Sequence, residues 1–277
     1  MELSTRVKLF LKANGIRANK KLGQHFLIDE EALKKLVDAA GIKPDETILE
    51  IGPGFGILTD ELVKKARRVV AVEKDERMIS LLRTYTGESA NLEIIRDDVM
   101  EADLSHLLAY SVVANLPYYI TSPVIRSFLT AAPKPERMVL TVQKEVAERI
   151  TESPPGSVMA FSTQYYAVPE LLFTIPRGAF LPPPAVESAV IRLTLRPKPY
   201  FLADEKKLFR IVKAAFGERR KQLTNSLAGG LKLEPERVRA LLKEAKIEPT
   251  RRAETLTLDE WAELYGGISL VLPVTSG

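Results

Sequence analysis

The sequence predicts an α/β protein: a mostly parallel, Rossmann-like sheet covered by helices, followed by a small all-helical domain. Three observations carry that reading. Five short apolar runs between residues 47 and 142 alternate with segments of helical spacing, and such alternation implies a parallel sheet covered on both faces. Glycines or polar residues stand just past the ends of four successive runs, which is where open α/β sheets bind ligands. Pro197 and Pro199 mark a boundary, and the composition beyond it turns helical. The expected domains are residues 1–197 and 198–277.

Taken in order, residues 1–28 read as a basic arm or short helix ending in Lys21-Leu22-Gly23-Gln24-His25-Phe26-Leu27. Asp29 is placed to cap a helix with apolar positions Leu33, Leu36, Val37 and Ala40, stopping at Gly41. Thr47 to Ile51 is a buried strand, Gly52-Pro53-Gly54-Phe55-Gly56 a glycine loop, and Ile57 to Ala66 a helix. Arg68 to Val72 is a second strand, ending at Glu73, and Asp75 caps the next helix, through Tyr85. Leu92 to Ile95 ends near Asp97 and Asp98, and Ser111 to Ala114 ends at Asn115. Ser122-Pro123 opens a helix with proline in its first turn. Arg137 to Val142 is a fifth strand, with a helix from Lys144 to Ile150. Pro154-Pro155-Gly156 is a loop, Phe180 to Pro184 a rigid extended connection, and Ser188 to Leu195 a final strand. Leu208, Ile211, Val212, Ala215 and Phe216 share one helix face; Val238, Leu241, Leu242 and Ala245 share another. Thr257 or Asp259 caps a third helix around Trp261.

Composition narrows the chemistry. The chain has 277 residues, 45% of them hydrophobic, enough for a sizeable core. It has no cysteine, which removes disulfides, thiolate metal sites and cysteine nucleophiles. Only His25 and His106 are present, too few for a histidine metal site. No segment has the pattern of a signal peptide or the length of a membrane span, so a cytoplasmic location is expected. The net charge of +4 is uneven. Residues 198–277 hold 15 Lys/Arg against 11 Asp/Glu, whereas residues 1–197 hold 25 of each. The first 25 residues carry Arg6, Lys8, Lys12, Arg17, Lys20 and Lys21 against Glu2 alone. Basic patches at both ends are the footprint of a polyanion, although solvated helix faces give the same count.

The residues beyond the strand ends suggest a nucleoside. Glycines in Gly52-x-Gly54-x-Gly56 let the backbone approach a ligand closely. The third comes one residue too early for the dinucleotide pattern, and there is no phosphate-loop lysine. Glu73 lies 21 residues after Gly52, placed to bind ribose hydroxyls. Asp98, with Asp97 as its rival, can accept from an adenine amino group. An adenosine without an obvious phosphate site fits S-adenosylmethionine. At the fourth strand end, Asn115 and the carbonyl of Leu116 offer two acceptors, Pro117 restricts the backbone, and Tyr118 offers a flat face. Such a set suits a planar base carrying an exocyclic amine; a strand-ending turn is the plainer alternative.

Together these residues resemble class I methyltransferases acting on exocyclic amines. Three further stretches are similar to the rRNA adenine N6,N6-dimethyltransferase family: Gly23-Gln24-His25-Phe26-Leu27, Phe180-x-Pro182-x-Pro184-x-Val186-x-Ser188, and Phe216-x-x-Arg219-Arg220-Lys221-x-Leu223-x-Asn225-Ser226-Leu227. The likeness runs from about residue 15 to the end and points to the small-subunit (KsgA) type, which modifies two adjacent adenines near the 3′ end of 16S rRNA. His25 stands where many relatives have asparagine. The resemblance implies that His25 and Leu27 close the cofactor site and that Gly52 contacts the methionine part. It also implies that Glu73 binds ribose, Asp98 the adenine amine, and that Asn115 bridges cofactor and target. Tyr118 and Phe180 would sandwich the flipped adenine, with Tyr119 left to the core. Arg219, Arg220 and Lys221 would touch RNA phosphates from a helix. The implied partner is small-subunit rRNA in an immature 30S-type particle, met by a monomer without metal. Two alternatives remain: the macrolide-resistance type that methylates large-subunit rRNA, and a non-catalytic RNA-binding assembly or transcription factor of the same fold.

Overall fold

The computed structural model describes residues 1–16, 23–218 and 220–272. Strands are β1 (Phe26–Leu27), β2 (Thr47–Ile51), β3 (Arg68–Glu73), β4 (Leu92–Arg96), β5 (Ser111–Asn115), β6 (Arg137–Gln143), β7 (Ala167–Ile175), β8 (Phe180–Leu181) and β9 (Ser188–Leu195). Helices are α1 (Leu3–Ala13), α2 (Glu30–Ala39), α3 (Ile57–Leu62), α4 (Glu76–Thr86), α5 (Thr121–Leu129), α6 (Lys144–Thr151), α7 (Val158–Tyr166), α8 (Glu205–Phe216), α9 (Leu223–Leu231), α10 (Pro235–Glu244) and α11 (Leu258–Val271).

The main sheet has the order β4-β3-β2-β5-β6-β9-β7. Strands β2 to β6 pair in parallel, and β9 runs antiparallel to β6. Every residue of β2 is buried, and β3, β5 and β6 have buried interiors. This explains their unbroken apolar runs, since a strand covered on both faces has no solvent side to mark with polar residues. A second sheet of two strands pairs β1 with β8, Phe26 opposite Leu181 and Leu27 opposite Phe180.

The helix caps agree with the sequence signals. Asp29 Oδ1 accepts from the Ala32 amide at 2.8 Å, and Asp75 Oδ1 from the Arg77 amide at 3.0 Å. Thr257 and Glu260 form a reciprocal capping box on α11, so Thr257 rather than Asp259 is the cap. The arm expected at the N-terminus is α1, whose Leu3, Val7 and Leu11 are buried one turn apart in the core. The basic residues Arg17, Lys20 and Lys21 lie outside the described residues. Helix α3 is shorter than the spacing to Ala66 suggests.

The chain divides into two compact units, Met1–Ala147 with Val168–Leu195, and Glu148–Ala167 with Arg196–Gly277. The division differs from the expected one at residue 197 in the placement of Glu148–Ala167. Helix α7 carries the reason. Phe161 sits 5.3 Å edge-on to Trp261 and 6.0 Å from Phe209, and Tyr165 lies 5.1 Å from Phe201, so its aromatic side chains pack into the helical unit. Helix α9 is not expected as a separate element, yet Leu223, Leu227 and Leu231 supply its buried stripe.

At the N-terminal ends of β2, β5 and β6 one polar cluster ties the sheet together. Arg137 Nη2 donates to Glu46 Oε2 at 2.7 Å, Arg137 Nε to the Ala40 carbonyl at 2.9 Å, and Ser111 Oγ to Glu46 Oε1 at 2.5 Å. Burial raises the Glu46 pKa, but Arg137 and Ser111 more than offset it and leave the carboxyl below its ordinary value. Removing the cation strands a largely buried carboxylate. Arg137→Met is expected to lower unfolding free energy by about 2–3 kcal/mol, measured by denaturant titration, since breaking one partner of a buried pair is costly. The deficit should shrink as pH falls and Glu46 is protonated, because a depressed carboxyl gives stability only where it is ionised.

Candidate active site

The chain leaves β2 outward to β3 and then β4, and returns to β5 on the other side of β2. That reversal opens a crevice at the C-terminal ends of β2 and β5. Residues after β2, β3, β4 and β5 meet there around a cavity of about 490 Å³, joined by Gly23 to Leu27. His25, Leu27, Gly52, Gly54, Glu73, Asp98, Asn115, Leu116, Pro117 and Tyr118 all line it. Phe180 does not, and Arg220 and Lys221 belong to the other unit.

The glycine loop is held from two sides. Glu73 Oε2 accepts from the Gly54 amide at 3.1 Å and Oε1 from the Asp75 amide at 2.8 Å, tying the loop after β2 to the end of β3. Burial raises the Glu73 pKa against these amide donors. Gly56 has φ +103°, and a Cβ there would lie 2.5 Å from Leu82 Cδ1, so this turn is closed to other residues. Between them Phe55 is fully buried. Its ring lies 4.7 Å from Phe26, 5.4 Å from Phe10 and 5.4 Å from Tyr85. Nothing in the sequence patterns assigns this aromatic box a role. Its signal is a single Phe inside a glycine loop, with partners scattered over three elements.

In the sequence Glu50 reads only as a residue of the strand from Thr47 to Ile51. In the fold it is 1% exposed, lines the cavity, and its Oε2 is buried with no hydrogen-bond partner. Burial pushes its pKa up to about 8, with the Glu73 charge adding to the shift. A buried carboxylate oxygen without a partner is costly in the charged form, so the position suits a cationic ligand group.

At the end of β4, Asp98 Oδ2 accepts from Lys74 Nζ at 2.9 Å and Oδ1 from the Met100 amide at 3.0 Å. The Met100 amide and the Lys74 ammonium hold the Asp98 carboxyl below its ordinary range. Asp97 Oδ1 accepts from the Asp98 amide at 2.7 Å, and both aspartates line the cavity.

Asn115 Nδ2 donates to the His25 carbonyl at 3.0 Å. A carbonyl only accepts, so this bond assigns the amide orientation and leaves Oδ1 as an acceptor. His25 Nδ1 lies 2.7 Å from the Pro182 carbonyl and therefore carries a proton. The His25 ring stacks 5.8 Å from Tyr118 at 23°, and the Tyr118 hydroxyl lies 2.7 Å from Ser188 Oγ. Burial raises the Tyr118 pKa, with Ser188 opposing.

Two expectations need correction, the one for Tyr119 and the one for a helix at Arg220 and Lys221. Tyr119 is 64% exposed and lines the cavity instead of entering the core. Residues 118–120 form a 3₁₀ turn, in which successive side chains diverge by about 120°, so neighbouring tyrosines cannot both turn inward. Phe180 is 2% exposed and belongs to the hydrophobic core, because β8 pairs with β1; the ring facing Tyr118 is that of His25. Arg220 and Lys221 lie in the turn between α8 and α9, exposed, not on a helix, and Arg219 lies outside the described residues.

A glycine cradle, a strand-end acid and a fixed amide around one switch-point cavity define a class I methyltransferase fold. Comparison with known proteins agrees and is more specific. Residues 15–269 match the description "Ribosomal RNA adenine dimethylase", and the chain belongs to that family. A "Ribosomal RNA small subunit methyltransferase A" of Dehalococcoides mccartyi is 42% identical over 269 residues, 95% of this chain and 92% of that one. The protein of the same name in Geobacillus thermodenitrificans is 42% identical over 279 residues, 95% of each chain. Among solved structures, a dimethyladenosine transferase from Plasmodium falciparum superposes with TM-score 0.75 at 25% identity, covering 89% of this chain and 98% of that one. The 23S rRNA methyltransferase ErmE superposes with TM-score 0.72 at 28% identity, covering 88% and 99%.

Glu50 yields a pH test on the protein alone. Its raised pKa means the folded state holds a proton that the unfolded chain releases above about 4.5, so stability falls between there and about 8. Glu50→Gln removes that loss. Relative to wild type, the variant should gain roughly 2–4 kcal/mol of stability from pH 5 to pH 8.5, read from unfolding curves. A difference that stays flat with pH contradicts the assignment.

Proposed function

We propose that this rRNA adenine dimethyltransferase uses S-adenosylmethionine to dimethylate N6 of two adjacent adenines near the 3′ end of small-subunit rRNA. The observation that carries the reading is the fixed Asn115 amide, with its acceptor free, beside Leu116 and Tyr118 at the switch point. The curated relatives described above are named for the small subunit, which supports that substrate over the large-subunit alternative. The intact site argues against a non-catalytic factor. The working partner is the immature 30S-type particle, approached by a cytoplasmic monomer. Among the described residues no helix is long and apolar enough to cross a membrane, and no cluster of acids and histidines is placed to hold a metal.

The cavity fits the cofactor. The glycine loop leaves a cradle that a Cβ at Gly54 would fill, 3.2 Å from Phe26. Glu73 and Asp98 offer carboxylates for ribose and the adenine amine, and Glu50 an unpartnered oxygen, Oε2, for a cationic group. When bound, the cofactor supplies an electrophilic methyl group on a sulfonium sulfur.

The residues supply orientation. The N6 lone pair of adenine is delocalised into the ring, so the amine is a poor nucleophile. Asn115 Oδ1 and the Leu116 carbonyl accept its two hydrogens, aim the lone pair at the methyl carbon, and favour positive charge on nitrogen in the transition state. With the cofactor bound, its sulfur would retain the C–S electron pair as the amine takes the methyl group. The methylated nitrogen then loses a proton, and no strong base is required. A second transfer leaves one hydrogen to hold, so one acceptor suffices. Stacking on Tyr118 offsets unstacking of the target at roughly 1–3 kcal/mol. Phe180 supplies the opposite face only after its ring leaves the core. Exposed Arg220 and Lys221, with Arg219, contact RNA phosphates.

Mass spectrometry of nucleosides from both ribosomal subunits, after incubation with protein and S-adenosylmethionine, tests the proposal. N6,N6-dimethyladenosine should appear in small-subunit rRNA. Asn115→Ala should cut it at least 100-fold while RNA binding stays within about threefold, in line with the loss of one positioned transition-state contact. Modification of large-subunit RNA, or full activity in the variant, would overturn it.

A further inference from the structure

The helical unit carries a cationic groove that methyl transfer does not use. Helix α8 buries Leu208, Ile211, Val212 and Ala215. Its other side presents Lys206, Arg210 and Lys213, at i, i+4 and i+7, so all three share one face. They line a depression of about 680 Å³ between α8 and α9, with Ser226 and Gly230 on the α9 side.

The helix crossing is built by glycine. A Cβ at Gly230 would lie 2.6 Å from Ala214 Cβ and 2.8 Å from Ala214 Cα, so only glycine lets α9 come this close. Gly229 is different. It is exposed, and a Cβ there would meet nothing within 4 Å. Packing gives no reason for a second glycine in the last turn of α9, where it weakens the helix. What it provides is bare backbone on the exposed side of α9.

The charges are also unexplained by the fold. Among the described residues, the side chains of Lys206, Arg210 and Lys213 have no ion pair or hydrogen bond. The one acid lining the groove, Glu218, pairs with Lys221 at 2.6 Å. An ordinary solvated face alternates signs at these spacings, whereas three like charges repel along this one. Seven residues of helix span about 10 Å. That covers roughly three nucleotides of rise along one strand.

We propose that the α8–α9 groove is a second RNA site, taking about three consecutive phosphates of the sugar–phosphate backbone without reading bases. The proposal rests on the rRNA substrate reading and adds a binding surface to it. Phosphates sit on Lys206, Arg210 and Lys213, and Gly230 leaves the α9 wall of the groove without a side chain to clash with the strand. Binding here anchors the RNA and is independent of the cofactor.

The test uses the full chain and the small-subunit rRNA that wild type methylates. The triple variant K206Q/R210Q/K213Q should bind this RNA at least tenfold more weakly near 0.1 M salt. The slope of log K against log salt should become less negative by about two, at roughly 0.7–0.9 per lost phosphate contact. S-adenosylhomocysteine affinity, read by calorimetry, should stay within twofold. A control, K232Q/K243Q/K246Q, removes the same charge from exposed positions elsewhere in the unit and should change the slope little. Equal loss in the control reduces the groove to net charge and overturns the proposal. So does unchanged RNA binding by the groove variant, whether the groove then takes an acidic protein or nothing. If wild type methylates no RNA, the failure belongs to the substrate reading instead.

Discussion

The hydrogen bond from Asn115 Nδ2 to the His25 carbonyl is the contact on which the active site turns. It joins residues 90 positions apart, the end of β5 to the approach of β1. It leaves the amide one acceptor facing outward, which an asparagine free to flip would present only part of the time. His25 is held in turn, through its ring to the Pro182 carbonyl and through Phe26 and Leu27 to β8. Phe26 then packs on Phe55, inside the glycine loop. One chain of contacts therefore runs from the base-binding turn to the cofactor loop. Helix α1 closes it from behind by stacking Phe10 on Phe55.

The two ends of the parallel sheet do different work. At the N-terminal ends Glu46 is paired with Arg137 and Ser111, and its charge is satisfied within the protein. At the C-terminal ends Glu50 is buried and Glu73 half-buried, neither paired with a cation among the described residues, and burial pushes both carboxyls up. Glu46 and Glu50 lie four positions apart on one stretch of chain. The difference lies in what faces them: an arginine in one case, a cavity in the other. Leaving carboxylates underpaired costs stability in the free protein, and a cationic ligand recovers it.

Much of this is legible in the sequence, and the reasons are local. Buried parallel strands read as unbroken apolar runs, and the residue just past each run must stand at the same edge of the sheet. Hence Gly52, Glu73, Asp98 and Asn115 group together on sequence alone. Caps at Asp29 and Asp75 are equally plain, because a cap is a short-range bond, whereas the choice of Thr257 over Asp259 needs the structure. The misses are long-range or conformational. The pairing of β1 with β8, across more than 150 residues, packs Phe180 into the core of the free protein, which no local pattern reports. Tyr119 is next to Tyr118 in sequence but not in direction, because the 3₁₀ turn rotates it outward. Helix α9 hides behind two glycines, and Glu148–Ala167 sides with the helices through aromatic packing that no periodicity reports.

The donor half of the Asn115 amide is the contact most exposed to test. Asn115→Asp keeps an acceptor of the same shape but sets a second one against the His25 carbonyl. Steady-state methyl transfer to small-subunit rRNA, measured beside the binding of S-adenosylhomocysteine, reads the difference. A fall in turnover of about 100-fold or more is predicted with the folded protein intact, on the scale of losing one preorganised contact. An aspartate variant as active as wild type would show that the bond to His25 orients nothing the reaction needs.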